Sequence, residues 1–173
     1  IDLINISLKS NTDNHKLIFL KGRSQLMLNQ YEKASSTFLD ALAIKIDSDY
    51  LNGLGYAYSK LKQSDKALAA YNKAISIKKK NSYAYFNSGL LLENKGYKKK
   101  AADYFYSAGT SSLLNKDFLK ANNAHDALQR LSKGESVILE KSDKLGSLIK
   151  ELTDDKDNDF KIIKVNTKGD KNG

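Results

Sequence analysis

The sequence predicts an all-α fold, an α-solenoid of stacked antiparallel helical hairpins, and two observations carry that prediction. The first is a spaced pattern that runs three times: Gly22, Ala34, Phe38, Ala41; then Gly55, Ala67, Tyr71, Ala74; then Gly89, Ala101, Phe105, Ala108. Its internal gaps are 12, 4 and 3 residues, and the copies start 33 and 34 residues apart, a period that marks stacked supersecondary units. The second is what the spacing does. The aromatic and the last alanine fall four and seven residues after the first alanine, so the three side chains line one face of a helix. The glycine falls on a preceding helix, where a missing side chain lets the partner backbone approach closely. Such a hairpin cannot bury its apolar face alone, so it stacks.

The elements follow in order. Residues 1–14 hold Leu3, Ile4, Ile6 and Leu8, enough for a short helix or an extended lead-in, and end in the polar turn Asn11-Thr12-Asp13-Asn14. Residues 15–133 hold three hairpin units, 15–47, 48–81 and 82–114, and a terminal helix over 116–133. Ser48 and Ser82 are expected as N-caps of the first helices of the second and third units, and Ser64 as the N-cap of a second helix. Gly96 falls where the third unit turns, the place for a left-handed C-cap. In 116–133, Phe118, Leu119, Ala121, Leu128 and Leu131 oppose Asn122, Asn123, Asp126 and Arg130, as a capping helix with one wet face requires; a degenerate fourth repeat is the alternative. Residues 134–173 read as an amphipathic helix, with Ile138, Leu145, Leu148, Ile149 and Leu152 as its stripe, then a polar tail broken by the apolar run Phe160 to Val165.

On these residues, 15–114 resemble three tetratricopeptide repeats. The best copy is Tyr50 to Tyr58 followed by Ser64 to Ala74, with the family's Leu-Gly pair at Leu54 and Gly55, its later Tyr at Tyr58, and the Ala, Tyr, Ala trio. The third copy has Tyr85 at the family's Trp site; the first has Ile18 there and Gln25 where Tyr is usual. The proline that commonly ends each unit is absent, since Ile46 and Lys79 stand in its place and the chain has no proline, so second helices are free to run longer. The resemblance implies a right-handed solenoid whose first helices line a concave, peptide-binding groove. By register that groove takes Phe19, Arg23 and Met27, with Lys16; Asn52, Tyr56 and Lys60, with Asp49 and Ser59; and Tyr83, Phe86, Leu90 and Asn94. The residues leave open that Tyr83 and Phe86 pack on the preceding hairpin and that Met27 fills a gap. Some family members clamp the C-terminal carboxylate of heat-shock chaperones with Lys, Asn, Asn, Lys and Arg. At the matching sites this chain has Phe19, Arg23, Gly53, Tyr83 and Asn87, so the groove is expected to prefer an apolar or mixed peptide with acidic flanks.

Composition narrows the partners. The formal net charge is +9, and residues 15–133 alone carry 20 Lys and Arg against 9 Asp and Glu. That field favours acidic partners, while Lys78-Lys79-Lys80 and Lys98-Lys99-Lys100 read as solvated faces. Direct nucleic-acid binding is disfavoured, because the surplus is nearly all Lys, no recognition motif is present, and the aromatics are committed to repeat packing. No apolar run reaches membrane-spanning length, and no secretory leader is evident at the start. The chain opens on Ile1, as an excised domain or processed product would. The abundance of Lys, Asn, Ile and Ser suggests an AT-rich bacterial gene. With no cysteine there is no disulfide or thiolate metal site, which leaves cytoplasm and periplasm both open, the former favoured.

No enzyme chemistry is expected. His15 and His125 sit on no metal-ligand spacing, His15 at the start of the first helix and His125 on the wet face of the terminal helix. Asp154, Asp155, Asp157 and Asp159 lack the Gly and Glu of a calcium loop, and no nucleophile, base and orienter set exists. The expected function is therefore non-catalytic: an adaptor or scaffold that binds another protein's peptide or helix in the groove, with no cofactor. The alternative is self-assembly into a homo-oligomer, with residues 135–165 packed back on the solenoid to complete its core or occlude the groove.

Overall fold

The computed structural model describes residues 15–154, and among them apolar periodicity produces eight α-helices and no strand. They are α1 (His15–Met27), α2 (Tyr31–Ile44), α3 (Ser48–Lys60), α4 (Ser64–Ile77), α5 (Ser82–Asn94), α6 (Lys98–Leu114), α7 (Phe118–Leu131) and α8 (Ser136–Asp154). The lead-in over 1–14 and the run Phe160 to Val165 lie outside the described residues. Those described form two compact units, 15–91 and 92–154.

In the first unit, α1 pairs with α2 and α3 with α4, and α2 also packs on α3. The repeat spacing sets the core. Phe38 is fully buried against Gly22 of its own hairpin and Gly53 of the next helix: a Cβ would come within 2.8 Å of the ring at the first and 2.6 Å at the second. Tyr71 lies on Gly55 in the same way, 2.5 Å from a Cβ placed there. What the glycine admits is thus an aromatic ring rather than the partner backbone, because a flat ring needs a flat bed to lose all its water. Each such burial stabilises by roughly 1.5–3 kcal/mol. Around the rings, Ala34, Leu54, Ala57 and Ala70 form one cluster with Phe38, and Leu51, Ala67, Ala74, Ala84 and Leu91 another with Tyr71.

Three serines expected as N-caps are instead the first residues of their helices. Asp47, in extended conformation, caps α3 by accepting from the Asp49 N–H, and Asn81 Oδ1 accepts from the Ala84 N–H at the start of α5. Gln63, before Ser64, makes no side-chain cap bond. Ser48 is used elsewhere: buried, it donates to the Ala74 carbonyl at 2.9 Å and accepts from Asn81 Nδ2 at 2.7 Å. That chain of bonds ties the end of α4 to the starts of α3 and α5. A hydroxyl committed to this latch is not available to its own helix.

One turn is used four times. Asn29, Lys62, Gly96 and Lys116 all have φ between 56° and 80°, and the following N–H reaches the carbonyl five residues back, as Gln30 to Gln25, Gln63 to Tyr58, Tyr97 to Leu92 and Asp117 to Ser112. Gly96 is the left-handed C-cap that the sequence predicts. Lys62 and Lys116 adopt the same conformation without being glycine. The missing prolines lengthen only one second helix: α2 and α4 both stop at 14 residues, where Lys45 and Lys78 turn extended, while α6 runs 17.

The fourth turn joins α6 to α7, and it exposes a fourth copy of the repeat spacing in the second unit. Gly109, Ala121, His125 and Leu128 keep the gaps of 12, 4 and 3. Helix α6 therefore carries Ala101, Phe105 and Ala108 as a second helix and Gly109 as a first helix, which accounts for its burial on two faces. Helix α8 packs on both α6 and α7, with Ile138, Ser142, Leu145, Ile149 and Leu152 buried. Leu145 fills the slot over Gly109, 2.4 Å from where a Cβ would lie. His125 is half-buried with Nε2 2.8 Å from a Cβ at Gly146, so it points inward and not, as expected, to the wet face, because it stands in the column of the repeat aromatic. Leu119 departs the other way: it is exposed, one residue off the buried stripe.

Candidate functional site: the first-helix face

Counted from the repeat glycine, three positions recur on the first helices. Three residues before it stand Phe19, Asn52 and Phe86; one after it Arg23, Tyr56 and Leu90; five after it Met27, Lys60 and Asn94. The 3.6-residue period puts these positions on one stripe of each helix, which starts beside the glycine and winds away from it over the next two positions. None of the nine is buried. Met27 is 84% exposed, Tyr56 37% and Leu90 36%, and Tyr83 at the start of α5 is 54% exposed. Met27 is thus no gap filler. Asn94 is exposed at the end of α5, in the second unit.

Contacts within the first unit divide these residues into floor and edge. The Phe19 ring stacks on Tyr50 at 4.6 Å and 25°, and lies 5.9 Å from Phe38. It belongs as much to the packing of α1 on α3 as to a binding face. Arg23 carries its guanidinium 5.8 Å over the Phe19 ring, and Lys60 its amine 5.2 Å over the Tyr56 ring, so two cations are held at aromatic faces. Asn87 Nδ2 donates a long bond of 3.4 Å to Asn52 Oδ1. One N–H of Asn87 and both of Asn52 lie outside that bond. Phe86 and Ser59 are half-buried, Lys16 and Asp49 exposed. Gly53, one of the clamp-matching sites, lies under Phe38 and offers no side chain.

Sequence reasoning passed over the ring pair that braces this face. His15 Nδ1 and the Tyr50 hydroxyl are hydrogen-bonded at 2.6 Å, 35 positions apart, a pairing no local pattern announces. Burial, with Asp47 and Asp49 nearby, raises the Tyr50 phenol above the ordinary tyrosine value, and burial does the same at Tyr71. Both phenols therefore stay neutral. The face thus offers apolar side chains, aromatic surface, placed cations and amide groups, which suits recognition rather than bond making.

Elsewhere, in the second unit, Arg130 grips Glu93 with two bonds of 2.8 and 3.0 Å, which raise its pKa, and Asp117 accepts from the Lys120 N–H and pairs with its amine, which lowers the carboxyl's. An open hollow of about 330 Å³ is lined by Gly96, Tyr97, Lys98, Lys99, Lys100 and Glu135, and shares no residue with the predicted face. Both lysine triplets are exposed. Among the described residues no group of His, Asp and Glu is arranged to hold a metal ion, and no helix is long and apolar enough to cross a membrane.

Known proteins carry the same arrangement. The tetratricopeptide repeat family model matches residues 48–81, the α3/α4 hairpin. A TPR repeat-containing protein of Methanocaldococcus jannaschii is 33% identical over 79 residues, which cover 46% of this chain and 14% of that protein, so the match spans about a seventh of the relative's length. Among solved structures, the Arabidopsis OM64 TPR domain superposes with a TM-score of 0.62 at 26% identity, covering 69% of this chain and 95% of that one. The Yersinia enterocolitica type III secretion chaperone SycD, in complex with a peptide of the translocator YopD, superposes with a TM-score of 0.65 at 19% identity, covering 69% and 93%. The fold class is theirs, an α-solenoid of antiparallel helical hairpins.

Proposed function

We propose that this chain, whose α3/α4 hairpin matches the tetratricopeptide repeat model, is a protein-interaction module that binds a short segment of a partner protein on the first-helix face of the first unit. The observation that carries this reading is the set of uncovered side chains at recurring positions: Tyr56 and Leu90 one residue after the glycine, Met27 and Lys60 five after it. Tyr56 and Leu90 serve as anchors, the amides of Asn52 and Asn87 hold the segment's backbone, and Arg23 and Lys60 favour acidic flanks. The YopD peptide bound to SycD supports a peptide as the ligand class for a fold of this kind. The role is that of an adaptor or scaffold.

The test selects binders from a random-peptide display library on the immobilised chain and measures the best by fluorescence anisotropy against wild type, Tyr56→Ala with Leu90→Ala, and Lys60→Glu. The proposal expects the double variant to lose at least about tenfold in affinity, the loss of two anchors. It also expects Lys60→Glu to weaken acidic-flanked peptides selectively. Peptides held equally by all three would overturn it.

A further inference from the structure

The hollow at the start of α6 gathers positive charge that the second unit leaves uncompensated. Lys98, Lys99 and Lys100 all line it, and all three are exposed. Among the described residues none of them is in an ion pair: Asp103, one turn after Lys99 on α6, is taken by Lys141 of α8 at 3.2 Å. Glu135 is the one acidic group in the lining, so three positive charges face a single negative one. Charges gathered in this way favour an anionic ligand.

The hollow is also open and partly apolar. It holds about 330 Å³, and the space over Gly96 is clear, since a Cβ built there would meet nothing within 4 Å. The Tyr97 ring is 56% exposed and has the Lys100 amine 5.9 Å from its centre, which holds one cation in place. From α8, the Glu135 carbonyl accepts from the Leu139 N–H at 3.0 Å, so these two residues lie one helical turn apart on the same side of the helix. Leu139 is 48% exposed. It stands one turn beyond the hollow, before Lys141, whose pair with Asp103 ties α8 alongside α6.

These groups select a ligand. Three ammonium groups call for anions, an exposed tyrosine and leucine for an apolar side chain among them, and the Glu135 carboxylate for a hydrogen-bond donor. A peptide supplies all three, the last from its backbone N–H groups. Single-stranded DNA supplies phosphates, but its backbone has no donor for Glu135, and the lining has one aromatic ring and no arginine where a row of stacked bases needs several. We propose that this hollow is a second binding site, which takes an acidic segment of a partner protein: Lys98, Lys99 and Lys100 pair with its carboxylates, Tyr97 and Leu139 receive an apolar side chain, and Glu135 accepts from its backbone. It shares no residue with the first-helix face of the first unit and does not depend on that reading.

The test selects binders from a random-peptide display library on the chain carrying Tyr56→Ala and Leu90→Ala, which removes the anchors of the other face. Counter-selection uses the same chain with Lys98→Gln, Lys99→Gln and Lys100→Gln added. The selected peptides are expected to hold acidic residues around an apolar one. By fluorescence anisotropy they are expected to bind the first chain at least about tenfold more tightly than the second, the combined effect of three surface pairs. Raising the salt from about 0.1 M to about 1 M is expected to erase most of that difference. Leu139→Ser is expected to weaken the same peptides severalfold, and Leu119→Ser, at an equally exposed leucine of α7, to leave them unchanged. All the substituted side chains are exposed, so the variants keep their cores, and unchanged melting checks this. Peptides without acidic residues, equal binding by the two chains, or no binder at all would overturn the proposal. A short oligothymidylate held more tightly than any selected peptide, and lost with the same three lysines, would overturn the choice of a peptide.

Discussion

Gly55→Ala tests the packing rule on which the fold rests. A methyl at residue 55 lands 2.5, 2.6 and 3.0 Å from Cε1, Cδ1 and Cζ of Tyr71. The ring has no room to retreat, being 1% exposed between the fully buried Ala67 and Ala74. Overpacking of this kind costs about 1–3 kcal/mol, and three short contacts to one ring place it at the upper end. Against that, alanine in a helix interior gains about 1 kcal/mol over glycine. The net expectation is a loss of about 1–2 kcal/mol, read from urea unfolding followed by far-UV circular dichroism with the m-value unchanged. Adding Tyr71→Leu should offset part of the loss, so that the double variant is more stable than the sum of the singles by about 1 kcal/mol. If Gly55→Ala instead stabilises by its full propensity gain, the glycine is not a bed for the ring and the account of the core fails.

The remaining predictions concern the latch and the turn. Asn81→Ala removes both the cap on the Ala84 N–H and the buried bond to Ser48, and should cost about 2 kcal/mol in chemical denaturation; a change below the error of the measurement would show that the latch carries no stability. Lys62→Gly should stabilise by about 0.5–1 kcal/mol, because Lys62 holds φ at 60°, where side chains are strained; a lower melting temperature would refute the turn's role.

How far the sequence reaches depends on whether a feature is periodic. Gly22, Phe38, Gly55 and Tyr71 announce themselves through fixed gaps, since a helix face is a matter of spacing alone. The same gaps mark Gly109, Ala121, His125 and Leu128, yet this copy starts 20 residues after the third, within that copy's second helix, so a period of 33 or 34 passes over it. The candidate face was legible as columns counted from the glycine. Which of its members brace the fold was not, because Phe19 is claimed by Tyr50 through a contact 31 positions away.

The sequence by itself determined the helices and their pairing into hairpins, since both follow from local periodicity. Only the tertiary structure decided the rest: that Ser48 is a latch rather than a cap, that His125 turns inward, and that Leu145 from α8 fills the slot over Gly109. Each of these is a choice among partners distant in the chain, made by which groups lose water together, and spacing along one helix holds no record of it.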